Sequence, residues 1–428
     1  MNKGILFWAS NMALITVAMT FAIRGDIMGD FETQYVKPYV EAGHVEVVQQ
    51  GEPTFVDKLM GIDKESDPVK RNLGIIAGVA FLSFALVIVF GGPLVDFLGM
   101  GNLLRVAAVC HISGAIMTIF APNFWFVVLA TFVVGMGNGL VEAVCNPLIA
   151  ALYPEEKIYR LTRFHAWFPG GLVIGSLLAY AFSRIGLPWQ AKMALILIPS
   201  VIYTVMIFGQ KFPKTERVAS GLPFSAMIKE ALARPLFLLL LCVMCLTAAA
   251  ELGTGQWISN IYRDIFGGKE GVLALAWGSI LMYVQRDFLS KYVSRLLSPV
   301  ALMAVTAPVA ALGLFLFGFA KTPVMFFAAA TLVYVGVCFW WPTMLGIANE
   351  RCPKTGALGM ALLGGAGNFA TFIAGPVIGR VNDSFGPSHA LQVWAILPVL
   401  IAVVFLALYM YDRSKGGYKK EKLEVVGS

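Results

Sequence analysis

The sequence predicts an all-α membrane protein of twelve transmembrane helices in two six-helix halves, and three observations carry that prediction. First, 58% of the 428 residues are hydrophobic and only 13% charged, with a mean hydropathy of +0.76. That is more apolar surface than a water-soluble core could bury. Second, the chain holds twelve apolar runs, beginning near Ile5, Leu73, Leu103, Phe124, Leu161, Ala191, Pro235, Val272, Val300, Val324, Gly356 and Leu391. A hydrocarbon core about 30 Å thick requires roughly 20 such residues per helix. Third, landmarks recur in the second half of the chain: Asn146-Pro147 answers Trp341-Pro342, and Gly170-Gly171 answers Gly364-Gly365. The halves are expected over residues 1–210 and 235–412, joined by a cytoplasmic linker over 211–234 and followed by a basic cytoplasmic tail over 413–428.

The first run is preceded only by Asn2 and Lys3 and reaches Arg24 without a small-residue cleavage site, so it reads as a retained helix. Thr16 and Thr20 share one face of it, and Thr20 is a candidate substrate contact. Asp26 closes the helix. Beyond it an outer loop is expected over 25–72, with ten acidic side chains from Asp26 to Asp67, as an extracellular cap or a disordered insertion.

The second run ends in Gly91-Gly92-Pro93-Leu94-Val95-Asp96-Phe97-Leu98-Gly99. Gly92-x-x-x-Asp96-x-x-Gly99 resembles the signature loop of the major facilitator superfamily. The resemblance implies a facilitator fold with the substrate between the halves, and a latching role for Asp96 against the amino end of a helix in the other half. An anion at a helix amino terminus is electrostatically favoured. The loop lacks the family's basic residues where Phe97 and Met100 stand.

The fourth run carries Asn138, Glu142 and Asn146 at four-residue spacing, a polar stripe on an otherwise apolar rod. An ionisable group well inside a membrane span is costly, so Glu142 marks a substrate or ion pathway, against the plainer reading of a glutamate bonded to a neighbouring helix. NGLVEAVCNP, YPEEK and HAWFPGG together resemble the fucose–galactose–glucose proton symporter branch of the same superfamily. That resemblance implies a sugar substrate, a proton as coupling ion, and functional carboxylates at Asp26 and Glu142. Two stretches depart from the branch: His165-Ala166-Trp167-Phe168 and Tyr283-Val284-Gln285-Arg286-Asp287. They leave the identity of the solute open.

In the linker, Phe224, Met227, Ile228, Ala231 and Leu232 follow helical spacing and predict an amphipathic helix on the inner face. The seventh run holds Glu251, Thr254, Gln256, Trp257 and Asn260, interrupted by Gly253 and Gly255. Glu251 is therefore a third proton-coupling candidate. Gln256 and Trp257, with Trp340, Trp341 and Asn368 from the tenth and eleventh runs, complete the expected substrate site. Amides and carboxylates suit sugar hydroxyls, and flat indoles suit the C–H faces of the ring, although a lone Trp also serves as packing or as an interface anchor.

Charge placement sets the topology. Twenty of the thirty-two Lys and Arg residues fall in the segments that are cytoplasmic if both termini are, Arg286 among them. The five short outer loops hold six: Arg184, Lys192, Arg263, Lys269, Lys321 and Arg380. The net charge of +7 thus reports orientation in a plasma membrane, a bacterial inner membrane, and gives no reason to invoke nucleic acid. Six cysteines show no disulfide framework, four histidines show no metal-ligand spacing, and there is no P-loop. No enzyme, metal or cofactor is expected. The expectation is a monomer in the lipid bilayer that imports a monosaccharide by proton symport; an exporter of amphipathic compounds and a non-transporting solute sensor are the alternatives.

Overall fold

The computed structural model describes residues 1–43, 68–267 and 271–421, apart from a few side chains within that range that include Gln256 and Asn260. Among the described residues, twelve helical rods cross the molecule. The first half comprises α1 (Lys3–Phe31), α2 (Pro68–Leu98), α3 (Met100–Ile119), α4 (Phe124–Leu152), α5 (Lys157–His165 continued by Trp167–Arg184) and α6 (Trp189–Ala194 continued by Leu197–Ile207). Short helices Glu216–Ser220 and Phe224–Ala233 form the linker; in the latter Met227 and Ala231 are buried while Leu232 is exposed. The second half comprises α7 (Pro235–Ala248, a π turn Ala249–Gly253, then Thr254–Phe266) and α8 (Gly271–Val284, a π turn Gln285–Leu289, then Ser290–Leu296). It continues with α9 (Pro299–Phe317), α10 (Pro323–Val337 and Trp340–Arg351), α11 (Gly356–Phe385) and α12 (Pro387–Trp394 and Ile396–Ser414).

Among the described residues, eleven helical stretches are long and apolar enough to span a membrane. The remaining rod is α8, whose apolar run is cut by Gln285-Arg286-Asp287. The even number of described rods places the start of α1 and the end of α12 on one face, here called the terminal face; the opposite one is the far face.

The expected loop over 25–72 is corrected at both ends. α1 runs on through a π turn, Glu32–Val36, into Lys37–Glu41. Ile23, Ile27, Phe31 and Tyr35 recur every fourth residue and are all buried, so an apolar stripe continues past Arg24 while Asp30 and Glu41 point to solvent. Phe31 and Tyr35 meet Trp189 edge-on, and Tyr39 stacks on Phe124. At the other end α2 begins at Pro68. The residues from 44 to 67 lie outside the described residues.

The halves close on each other toward the terminal face. A Cβ at Gly92 of α2 would lie 2.2 Å from the Ala361 side chain of α11, and one at Gly346 of α10 would lie 2.3 Å from Ile158 of α5. Only glycine permits these approaches. Ala357 and Ala361 pack into the core of the first half, and Ala150 into that of the second. The core at the far end of the first half, around Ile27, Phe31, Val127 and Trp189, contains first-half residues alone.

Candidate functional site

The polar stripe of α4 is buried: Asn138 is fully covered, and Glu142 and Asn146 nearly so. At its far end Asn138 donates through Nδ2 to Thr20 Oγ1 at 3.0 Å and accepts at Oδ1 from His111 Nε2 at 3.0 Å. His111 Nδ1 in turn meets the Tyr203 hydroxyl at 3.0 Å. These bonds, from α1, α3 and α6, fix which way the amide faces. At the other end Asn146 Nδ2 donates to the Glu142 carboxylate at 2.8 Å and to its backbone carbonyl at 2.9 Å, while Oδ1 accepts from His165 Nε2 at 3.0 Å.

From His165 the chain of contacts crosses into the second half. Its backbone carbonyl accepts from Arg286 Nη1 at 3.1 Å, and Arg286 Nη2 donates to Glu251 Oε1 at 3.0 Å. Arg286 Nε donates to the Cys338 carbonyl of α10. The side chains of Arg286 and Glu251 are 3% and 5% exposed. Local sequence explains the two carbonyls. In an α-helix the amide of residue i bonds the carbonyl of residue i−4, and proline has no amide hydrogen. Pro169 therefore leaves the His165 carbonyl without a helical donor, and Pro342 does the same for Cys338. The guanidinium fork fills both vacancies.

Glu251 and Arg286 each lie in a π turn, a local winding that recurs at functional sites. The interruption expected at Gly253 and Gly255 is thus a change of winding within a continuous rod. Around Glu251, its own Oε2, the Thr254 hydroxyl and the Tyr334 hydroxyl are buried without a hydrogen-bond partner in the protein, as is the Thr343 hydroxyl of α10. One residue beyond Arg286, Asp287 pairs with Arg163 of α5 at 2.8 Å, a second polar link between the halves.

The structure thus joins Thr20 and Asn138, then Glu142, Asn146 and Glu251 through His165 and Arg286. Other expected residues lie outside this chain of hydrogen bonds. Asp26 is exposed and pairs with Lys192 of α6 at 2.6 Å, outside this chain of contacts. Trp340 is wholly buried and donates to Thr306 of α9 at 3.0 Å, so it belongs to the second half's core. Trp341 lies over Gly367 of α11, where a Cβ would come within 2.8 Å of its ring. Trp257 is half-buried against the same core. Asn368 is buried and bonds its own helix at the Gly364 carbonyl, 2.9 Å away. The Gln256 side chain falls outside the described residues.

The Asp96 carboxylate, fully covered, takes Arg217 Nε at 2.6 Å and the Thr215 hydroxyl, both in the linker; a Cβ at Gly356, the first residue of α11 in the other half, would lie 3.4 Å from the Arg217 side chain. A cavity of about 310 Å³ opens beside it at the terminal face, lined by Arg105 and Lys214 among others and separate from the buried chain. Asp96 thus pins the linker under α2.

His111, Tyr203, His165 and Arg286 were not expected at the site. A signal for Arg286 exists in the sequence: an arginine that follows fourteen residues of largely apolar helix is an intramembrane charge. His165 offers the lesser signal of a histidine four residues before a proline.

A family model described as Major Facilitator Superfamily matches residues 53–357. The D-xylose transporter of Levilactobacillus brevis is 26% identical over 152 residues, 35% of this chain and 31% of that transporter, so the match spans under a third of the relative's length. The Escherichia coli fucose:proton symporter superposes with a TM-score of 0.73 at 16% identity, over 95% of this chain and 99% of that one. The human organic anion transporter TETRAN does so with 0.76 at 14% identity, over 95% and 100%. The likeness to these two structures is one of fold.

Proposed function

The chain belongs to the major facilitator superfamily, and we propose that it is a secondary transporter that imports a small polyhydroxylated solute, a monosaccharide, by proton symport with alternating access. The observation that carries this reading is the buried polar chain at the seam of the halves, with a carboxylate from each half, Glu142 and Glu251, at its two ends. Substrate at such a seam meets both halves, as rocking access requires. Amide and carboxylate groups of α4 supply donors and acceptors for hydroxyls, and Trp341 supplies an apolar face. The xylose specificity named for the bacterial relative and the fucose:proton symport named for a structural neighbour support a sugar and a proton.

In this reading the terminal face is cytoplasmic and the membrane is the plasma membrane, a bacterial inner membrane, in keeping with the bias of Lys and Arg toward that face. The closed terminal face then corresponds to a conformation that takes solute from outside. Reconstituted protein should accumulate a labelled monosaccharide in proteoliposomes under an imposed inward pH gradient. Accumulation of no sugar or polyol, or uptake driven by sodium at equal pH on both sides, overturns the reading.

A further inference from the structure

Arg286 is 3% exposed and cannot shed its charge. Each arm of its guanidinium goes to a different helix: Nη2 to the Glu251 carboxylate of α7, Nε to the Cys338 carbonyl of α10, and Nη1 to the His165 carbonyl of α5. The first two partners lie in the second half and the third in the first half, so one side chain bridges the seam on the side where the halves are closed.

We propose that Arg286 couples the charge of Glu251 to closure of the terminal face: with Glu251 ionised the guanidinium bridges the halves, and with Glu251 protonated it withdraws and they part there. The proposal rests on the proton-symport reading above and names the residue that would carry it out. A buried guanidinium is tolerated while a carboxylate faces it; deprived of that countercharge it is strongly unfavourable in place. Moving toward water then means releasing the His165 carbonyl, and with it α5. The proton has somewhere to go, because Glu251 Oε2 is buried with no partner. It enters at that oxygen from the far face and leaves toward the terminal face, whereupon the restored carboxylate draws Arg286 back.

The other polar and titratable groups around the pair fit this account. Tyr334 and Cys338 of α10 and Thr254 of α7 carry no charge of their own. His165 presents its carbonyl to Arg286 and its ring to Asn146. Arg163 and Asp287 compensate each other. Glu142 is held by Asn146 and lies three contacts from Arg286. Among the described residues, Glu251 is the carboxylate that meets Arg286.

Hydrogen exchange by mass spectrometry on the full chain in lipid nanodiscs, without substrate, tests this at the amides of Lys157–His165 and Trp340–Arg351. Glu251→Gln, which strands the guanidinium, should speed their exchange by about tenfold or more. The double variant Glu251→Gln/Arg286→Gln, which removes both charges, should lie nearer the wild type. After correction for intrinsic rates, acidification should loosen the wild-type segments and leave Arg286→Gln unmoved. If Arg286→Gln does not fold, Pro169→Ala replaces it: the new amide takes the His165 carbonyl, and exchange should rise with the ion pair intact. Wild-type exchange in Glu251→Gln, or an acid response that survives Arg286→Gln, overturns the proposal. Because the readout needs no substrate, sugar uptake with no exchange response sinks Arg286 alone, whereas an exchange response without uptake sinks the import reading.

Discussion

Asn146 holds Glu142 twice, through the carboxylate at 2.8 Å and the backbone carbonyl at 2.9 Å, and itself takes a hydrogen bond from His165. Asn146→Ala leaves a buried carboxylate and a buried imidazole without their shared partner. Solute affinity should fall by about 1–3 kcal/mol, the usual cost of an orphaned buried polar group. Isothermal titration with the transported sugar measures it, and unchanged affinity in a folded variant moves the site away from α4.

Glu142→Gln keeps the shape of the side chain and removes its charge. Both solute binding and pH-driven accumulation should drop, since the group is proposed to hold hydroxyls and to sense protons. Counterflow exchange separates the two losses. Exchange at the wild-type rate would confine Glu142 to coupling.

The two adjacent indoles should behave differently. Trp340→Ala should lower stability by about 3–5 kcal/mol, the typical cost of emptying a buried aromatic site, because the ring is wholly covered and bonded to Thr306. Trp341→Ala should weaken binding by about 1 kcal/mol, the scale of an aromatic contact. Thermal denaturation and titration of both variants decide this; equal effects on binding would restore Trp340 to the site.

Asp26→Asn should leave proton-driven accumulation intact, contrary to what the family resemblance implies for this position. Asp26 is exposed, pairs with Lys192 at 2.6 Å and lies outside the buried chain of contacts. Loss of accumulation in that variant, with solute binding preserved, would return Asp26 to the coupling path.

Asp96→Asn removes the countercharge of Arg217 inside a covered site, and breaking a buried pair costs about 3–5 kcal/mol. The linker should come loose, so trypsin should cut at Arg217 or Lys214 faster than in the wild type. Unchanged cleavage would mean that Thr215 and the surrounding packing suffice.

The spans, the paired halves and the α4 stripe were legible in the sequence because each rests on local periodicity or on composition. The continuation of α1 was legible too, in Ile23, Ile27, Phe31 and Tyr35, but the acidic residues between them read as loop. Arg286 with Glu251 and Arg163 with Asp287 join residues 35 and 124 positions apart. Nothing local pairs them, and Arg286 counts equally well as one more basic residue at a membrane boundary. Trp340 and Trp341 show the same limit: neighbours in sequence, they face different helices because successive residues of the helix Trp340–Arg351 point about 100° apart.

Arg286 grips backbone oxygens that two prolines leave free, and this shapes what genetics can see. Any residue at 165 or 338 supplies a carbonyl, so substitutions there spare those two hydrogen bonds. The same scan should register damage at Pro169, Pro342 and Arg286. A selection screen would therefore register the closure at the residues that make room for it and at the one that fills it, while damage at 165 and 338 would report the His165 ring bonded to Asn146 and the packing of Cys338.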